Sequence, residues 1–165
     1  MALEMRTFGD PVLKTRAARV EDFDESLVRL AEDMLATMRE QEGVGLAANQ
    51  VGRLKRILVA AVEDDEYVLV NPVIEVVSEI TETGPEGCLS IPGIQVEVER
   101  PTGITISAQD PSGEPIRIET EGLLARIFQH EVDHLDGVLI LDRTDRASRK
   151  AAMREWRERL LAQRT

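Results

Sequence analysis

Cysteine, histidine and long apolar runs are scarce in this sequence, and its positive charge is outnumbered by negative. A single cysteine, Cys88, excludes an internal disulfide. Nowhere do about 18 apolar residues run together, and no basic segment followed by an apolar one opens the chain. Neither a membrane span nor a secretory signal is expected, and a lone cysteine in that context points to a reducing, cytoplasmic setting. The 20 Lys and Arg stand against 31 Asp and Glu, a net charge of −11 that argues against a surface built for general nucleic-acid binding, DNA included. The shortage is uneven. Residues 143–165 carry eight Lys/Arg and three Asp/Glu, residues 1–142 twelve and twenty-eight, so a basic tail follows an acidic body. A chain of 165 residues suits one domain, 1–165, with a core large enough to stand without disulfides.

The two histidines fall together, in Gln129-His130-Glu131-Val132-Asp133-His134. On a helix, residues four apart lie about 40° apart around the axis and roughly 6 Å along it, so both imidazoles reach one metal ion. Glu131 points about 100° away from His130. That is too far round for an ideal third ligand but close enough to reach a water on the same metal, the place of a general base. A purely structural pair is the bland alternative, and surface histidines seldom line up in this way.

Elsewhere the pattern is mixed. Residues 7–13 read as an N-terminal arm packed on the body. Leu27, Leu30, Met34, Leu35 and Met38 recur at helical spacing over about 24–42, with Asp22 or Asp24 as N-cap and Gly43 as stop. The methionines belong to the core. The glycine-rich stretch 43–52 lacks the Lys-Ser/Thr of a phosphate-binding loop and does not read as a nucleotide site. It suits a backbone that approaches a ligand closely, with Gln50 as a hydrogen-bond donor inside the site. Segments 56–62, 66–70, 73–79, 95–99, 103–108 and 116–121 read as strands, several alternating as antiparallel strands with one wet face do. Cys88 lies between two strand regions in Glu86-Gly87-Cys88-Leu89-Ser90. Three readings stay open for it: a small buried hydrophobe, a nucleophile, or the third ligand of a His₂Cys metal site with an open position.

Three motifs in order, Gly43 to Gln50, Glu86 to Ser90 and Gln129 to His134, resemble those of the peptide deformylases of the bacterial type, and the resemblance spans essentially the whole chain. It implies an α+β fold, antiparallel β-sheets packed around a central metal-binding helix, with a C-terminal helix. It implies Cys88, His130 and His134 as metal ligands and Glu131 as the catalytic acid/base. Gln50 and the backbone N–H of Leu89 match the oxyanion donors, and Val44, Gly45 and Gly87 match backbone that pairs with the substrate as an added strand. Members of the family remove the formyl group from the N-terminal formylmethionine of nascent peptides, releasing formate. They typically use one ferrous iron, Fe2+, with Zn2+, Ni2+ or Co2+ as substitutes. Two positions depart from the usual pattern: Asn49, where many members carry Pro or another small residue, and Gln95, where many carry a basic one.

The residue types fit that chemistry on their own terms. A formamide is unreactive, so water must be acidified, the formyl oxygen polarised, a proton moved and an oxyanion met by donors. Two other readings compete: a relative on the same scaffold that cleaves another N-acyl group or a peptide bond, and a non-catalytic metal-binding or ribosome-associated protein. Among secondary residues, Glu86 and Arg100 read as a salt bridge pinning strands, Asp133 as a partner of a ligand or of a neighbouring helix or else a solvated carboxylate, and Trp156 as a packing anchor. The tail over about 147–163 reads as an amphipathic helix with Ala151, Trp156 and Leu160 inward and Arg149, Lys150, Arg154 and Arg157 exposed. From the resemblance, that helix is a candidate contact with ribosomal RNA.

Overall fold

The computed structural model describes residues 1–163; Arg164 and Thr165, the end of the basic tail and of the expected domain, lie outside them. Among the described residues, helix α1 (Glu25–Glu40) starts where Asp24 accepts a hydrogen bond from the Leu27 N–H at 3.2 Å. Its buried stripe is Leu27, Ala31, Met34 and Met38. Each fully buried Leu or Met contributes roughly 1.5–3 kcal/mol, against about 1 kcal/mol for the cap, so packing more than capping holds α1 in place. The expected stop at Gly43 is corrected. The helix ends at Glu40 and the chain reverses through Glu42, which takes the left-handed conformation (φ 58°). Gly43 serves close packing instead: a Cβ there would lie 2.6 Å from Leu89 Cδ1.

A five-stranded antiparallel sheet runs β1 (Gly45–Ala47), β2 (Ile57–Val62), β3 (Asp65–Val77), β6 (Gly103–Gln109), β7 (Pro115–Glu121) in spatial order. β2 shows an unbroken buried run because both its faces are covered. Leu58 and Ala60 join the cluster around Phe128 of helix α2 (Gly122–Leu135), while Ile57 and Val59 join Met34 and Met38 of α1. The sheet therefore lies between two helices, with α2 central. Segments 66–70 and 73–79, expected as two strands, are one. Pro72 lacks an N–H and Asn71 sits at φ 52°, which shifts the register between Val70 and Val73 without ending the strand. The Asn71 side chain meets both the N–H and the carbonyl of Val20, at 2.8 and 2.9 Å.

The remaining strands, β4 (Thr81–Cys88) and β5 (Ile91–Pro101), form a separate antiparallel hairpin. β4 was not anticipated, and β5 is longer than the expected 95–99. Ile94, Val96 and Val98 of β5 pack on Ile140 and Leu141 of helix α3 (Ile140–Arg143) and on helix α4 (Arg146–Gln163). The phase of α4 also needs correction: Ala152 and Trp156 are buried, whereas Ala151 is exposed and Leu160 is 38% exposed. Trp156 meets the edge of Phe8 from the N-terminal arm at 6.2 Å and 80°. The result is the expected α+β architecture of antiparallel sheets around α2 with a C-terminal helix. Among the described residues no helix is long and apolar enough to cross a membrane.

Candidate metal centre and its cleft

Helix α2 carries Ala125 and Phe128 into the sheet and brings His130 and His134, one turn apart, to its buried side. The two Nε2 atoms lie 3.2 Å apart. Cys88 arrives from the end of β4, where the hairpin register shifts between Gly87 and Cys88, and its Sγ lies 3.3 Å from His134 Nε2. The ligand atoms of all three residues fall within 4.8 Å of one another, a group able to hold a metal ion. The donor set fits a divalent cation. Three electron-pair donors crowd together, and His134 Nε2, which carries at most one proton, cannot donate to both neighbours. The surroundings also favour positive charge there. Burial opposes charging His130, yet Glu131, Cys88 and Glu86 hold its pKa well above the ordinary value. Burial and the neighbouring His130 hold His134 well below it, so charge is drawn to the place and repelled from the second ring.

His130 is held from behind. Its Nδ1 lies 3.0 Å from Glu86 Oε1, and Arg100 grips the same carboxylate through Nε at 2.6 Å and Nη2 at 2.9 Å. Arg126 Nη1 adds a third cationic contact at 2.5 Å. Burial disfavours the charged carboxylate, but His130 and Arg100 outweigh it and bring Glu86 down to about 2. Glu86 and Arg100 thus pair across the hairpin as expected, and the pair also orients a histidine. Asp133 is buried, not solvated, and joins Arg100 at 2.9 Å and Arg143 at 2.8 Å.

Glu131 is 5% exposed, and its Oε1 is buried without a hydrogen-bond partner among the described residues. Burial pushes its carboxyl up to about 7, with His130 and Arg100 opposing and Glu86 and Asp133 reinforcing. A Cβ on Gly45 would lie 2.6 Å from Glu131 Oε2, so the β1 backbone passes directly against this carboxylate. Gln50, in the short 3₁₀ turn Ala48–Val51, accepts from the Ala47 N–H through Oε1 at 2.9 Å. That bond fixes the amide orientation and sends Nε2 toward Cys88 Sγ at 3.5 Å and Ser90 Oγ at 3.2 Å.

These groups open onto a cleft of about 870 Å³. Val44, Gly45, Gln50, Gly87, Cys88 and Leu89 line it, as do His130 and Glu131, while His134 lies behind them. The cleft therefore brings together all the site residues expected from the sequence except His134, which meets the same cluster from the protein side. Sequence reasoning quoted Ser90 at the end of the Glu86–Ser90 motif without giving it a role, and missed the wall made by Leu123, Arg126 and Ile127. The wall had a signal, since Arg126 and Ile127 precede His130 by four and three residues on one helical face. Ser90 had none.

The sequence profile of the polypeptide deformylase family matches residues 2–150. Peptide deformylase 1 of Corynebacterium glutamicum is 54% identical over 154 residues, 91% of each chain. The crystal structure of peptide deformylase from Thermotoga maritima superposes with a TM-score of 0.86 at 47% identity, covering 88% of this chain and 99% of that one. That from Thermus thermophilus gives 0.91 at 45% identity, covering 98% and 97%. The competing readings, a non-catalytic metal binder and a hydrolase of another amide, give way. The chain belongs to the peptide deformylases, metal-dependent hydrolases that remove the N-formyl group from methionine-initiated peptides.

Proposed function

We propose that residues 1–165 act as one catalytic domain in which Cys88, His130 and His134 hold a single ferrous iron, replaceable by zinc, nickel or cobalt. The observation that carries this is the convergence of one sulfur and two imidazole nitrogens within 4.8 Å beside an open cleft. When bound, the cation supplies Lewis acidity toward the water and the formyl oxygen. Glu131, with its unpartnered oxygen, takes the proton of the attacking water and returns it to the amine nitrogen as the C–N bond breaks, leaving formate and a free N-terminus. Gln50 Nε2 and the Leu89 N–H donate to the oxygen that gains charge, and a preset donor of this kind contributes roughly 3 kcal/mol to the transition state.

The substrate lies extended in the cleft. β1 ends the large sheet and β4 pairs only with β5 among the described residues, so Val44 and Gly45 on one wall and Gly87 on the other offer backbone to an added strand. A cytoplasmic location goes with this reading. So does docking on the ribosome through α4, where Lys150, Arg154 and Arg157 are exposed and form no ion pair among the described residues.

Glu131→Gln should lower formate release from formyl-Met-Ala-Ser by about 10²- to 10⁴-fold while metal content stays at one per chain; activity within tenfold of the parent would remove Glu131 from the mechanism. Glu86→Gln should weaken metal affinity about 10- to 100-fold in chelator competition, and an unchanged affinity would leave the Glu86–Arg100 pair a strand clamp only. Enzyme purified without oxygen should contain iron and lose activity on peroxide treatment, because a thiolate ligand and a ferrous ion are both oxidisable; equal activity before and after would exclude iron. Removal of the tail is a poor test of docking, since Ala152 and Trp156 belong to the core. Replacing Lys150, Arg154 and Arg157 by Glu should instead abolish ribosome co-sedimentation at low salt and spare activity on short peptides, whereas persistent co-sedimentation rules the helix out.

A further inference from the structure

Three buried side-chain atoms have no hydrogen-bond partner among the described residues: Glu131 Oε1, Asn49 Oδ1 and His134 Nδ1. The first is the oxygen that receives a proton in the reaction proposed above. The other two have no part in it, although Asn49 is 0% and His134 1% exposed. A buried polar atom left alone is costly, so such orphans are rare and each calls for a partner.

The two are chemically complementary. His134 points Nε2 at the cluster, 3.3 Å from Cys88 Sγ and 3.2 Å from His130 Nε2. An imidazole that gives Nε2 to a cation carries its proton on Nδ1, which is then a donor. Asn49 presents the opposite. Its Nδ2 donates to the Thr15 carbonyl at 2.7 Å, and because a carbonyl only accepts, the free end of the amide is the oxygen.

The fold brings them to one place. The turn Ala48–Val51 packs against α2, and Gln50, next in the chain to Asn49, reaches within 3.5 Å of Cys88 Sγ. Thr15, which holds the Asn49 amide, belongs to a segment laid on the end of α2. The Ala17 N–H donates to the Leu135 carbonyl at 2.8 Å, and a Cβ on Gly137 would lie 2.7 Å from the Lys14 oxygen and 3.3 Å from the Thr15 nitrogen. Gly137 in turn donates to the His134 carbonyl at 3.0 Å. The Asn49 side chain is thus held between its own turn and the last turn of the helix that bears His134. His130 shows what its companion lacks: its Nε2 also faces the cluster, but its Nδ1 has Glu86 at 3.0 Å.

We infer that Asn49 is the positioning residue of His134. Its Oδ1 accepts the hydrogen bond of Nδ1–H through one buried bridging water, and this fixes the ring with Nε2 toward the cation. Each histidine then has its own holder, a carboxylate for His130 and an amide for His134. The inference rests on the reading of Cys88, His130 and His134 as the metal centre. Loss of such an outer partner weakens metal affinity about 10- to 100-fold.

The test uses the full chain loaded with zinc, which is diamagnetic, and labelled with 15N-histidine. With two histidines in the chain, two Nδ1–H signals are expected. Asn49→Leu removes the acceptor and fills the space of a water. It should move the His134 signal or lose it to solvent exchange, leave that of His130 in place, and lower zinc affinity about 10- to 100-fold in chelator competition. Asn49→Asp keeps an acceptor and gives it charge, so it should retain at least the parent's affinity and move the His134 signal downfield. Should the leucine variant fail to fold, the aspartate variant decides alone. A His134 signal that neither substitution moves, or an equal loss of affinity in both variants, makes Asn49 a clamp on Thr15 only and overturns the inference while the metal centre stands. Histidine signals that do not respond to zinc in the parent overturn the centre and the inference together.

Discussion

A carboxylate taken out of water must be met by charge on every side or lose its own, and Glu86 is where this chain meets that constraint most fully. Its two oxygens face His130, Arg100 and Arg126. Glu86 belongs to β4, Arg100 to β5, and the other two to α2, so one ion cluster clamps the hairpin onto the central helix. Breaking such a pair by removing one partner typically costs about 3–5 kcal/mol, which makes the alignment of hairpin and helix hard to relax. Cys88 lies two residues beyond Glu86. The distance between its sulfur and the imidazoles is therefore set by the same clamp, and the Cys88–His130–His134 cluster depends on a charge balance centred on Glu86.

Close approach of backbone governs the other side of the cleft. Gly45 lets β1 run against Glu131, and Gly43 lets the end of the α1 turn rest on Leu89. A side chain at either place would push Glu131 or Leu89 out of position. Gln50 is fixed by a different device: its own turn supplies the Ala47 N–H that holds one end of the amide, so the other end faces the sulfur and Ser90. Glu131 and Gln50 are thus held by neighbouring segments, Gly45 and the Ala48–Val51 turn, while the sulfur comes from β4.

Helix α4 serves three surfaces at once. Ala152 and Trp156 cover the apolar face of β5, Trp156 locks the N-terminal arm through Phe8, and Glu155 reaches the cleft. Lys150, Arg154 and Arg157 stay outside in solvent. A basic tail in the sequence thus becomes part of the body, with Lys150, Arg154 and Arg157 facing solvent and Glu155 and Arg159 turned toward the cleft and its hairpin.

The sequence by itself determined what depends on local spacing. The four-residue interval of His130 and His134, a cap for α1 at Asp22 or Asp24 and the alternation in β5 and β7 were legible because each reports one element's own geometry. Three short motifs in order named the family and picked out residues that the fold gathers at one cleft. Tertiary structure decided what depends on separation. β4 escaped notice because Thr-Glu-Thr-Gly-Pro-Glu-Gly-Cys has no alternating apolar residues, and its strand exists through pairing with β5. The Asn71 bulge depends on Val20, the α4 phase on β5, and the ion cluster on partners 14, 33 and 44 residues apart. Periodicity shows which way a side chain points along its own element. Where two elements meet, and which charges must then neutralise one another, is settled by packing and desolvation across the whole chain.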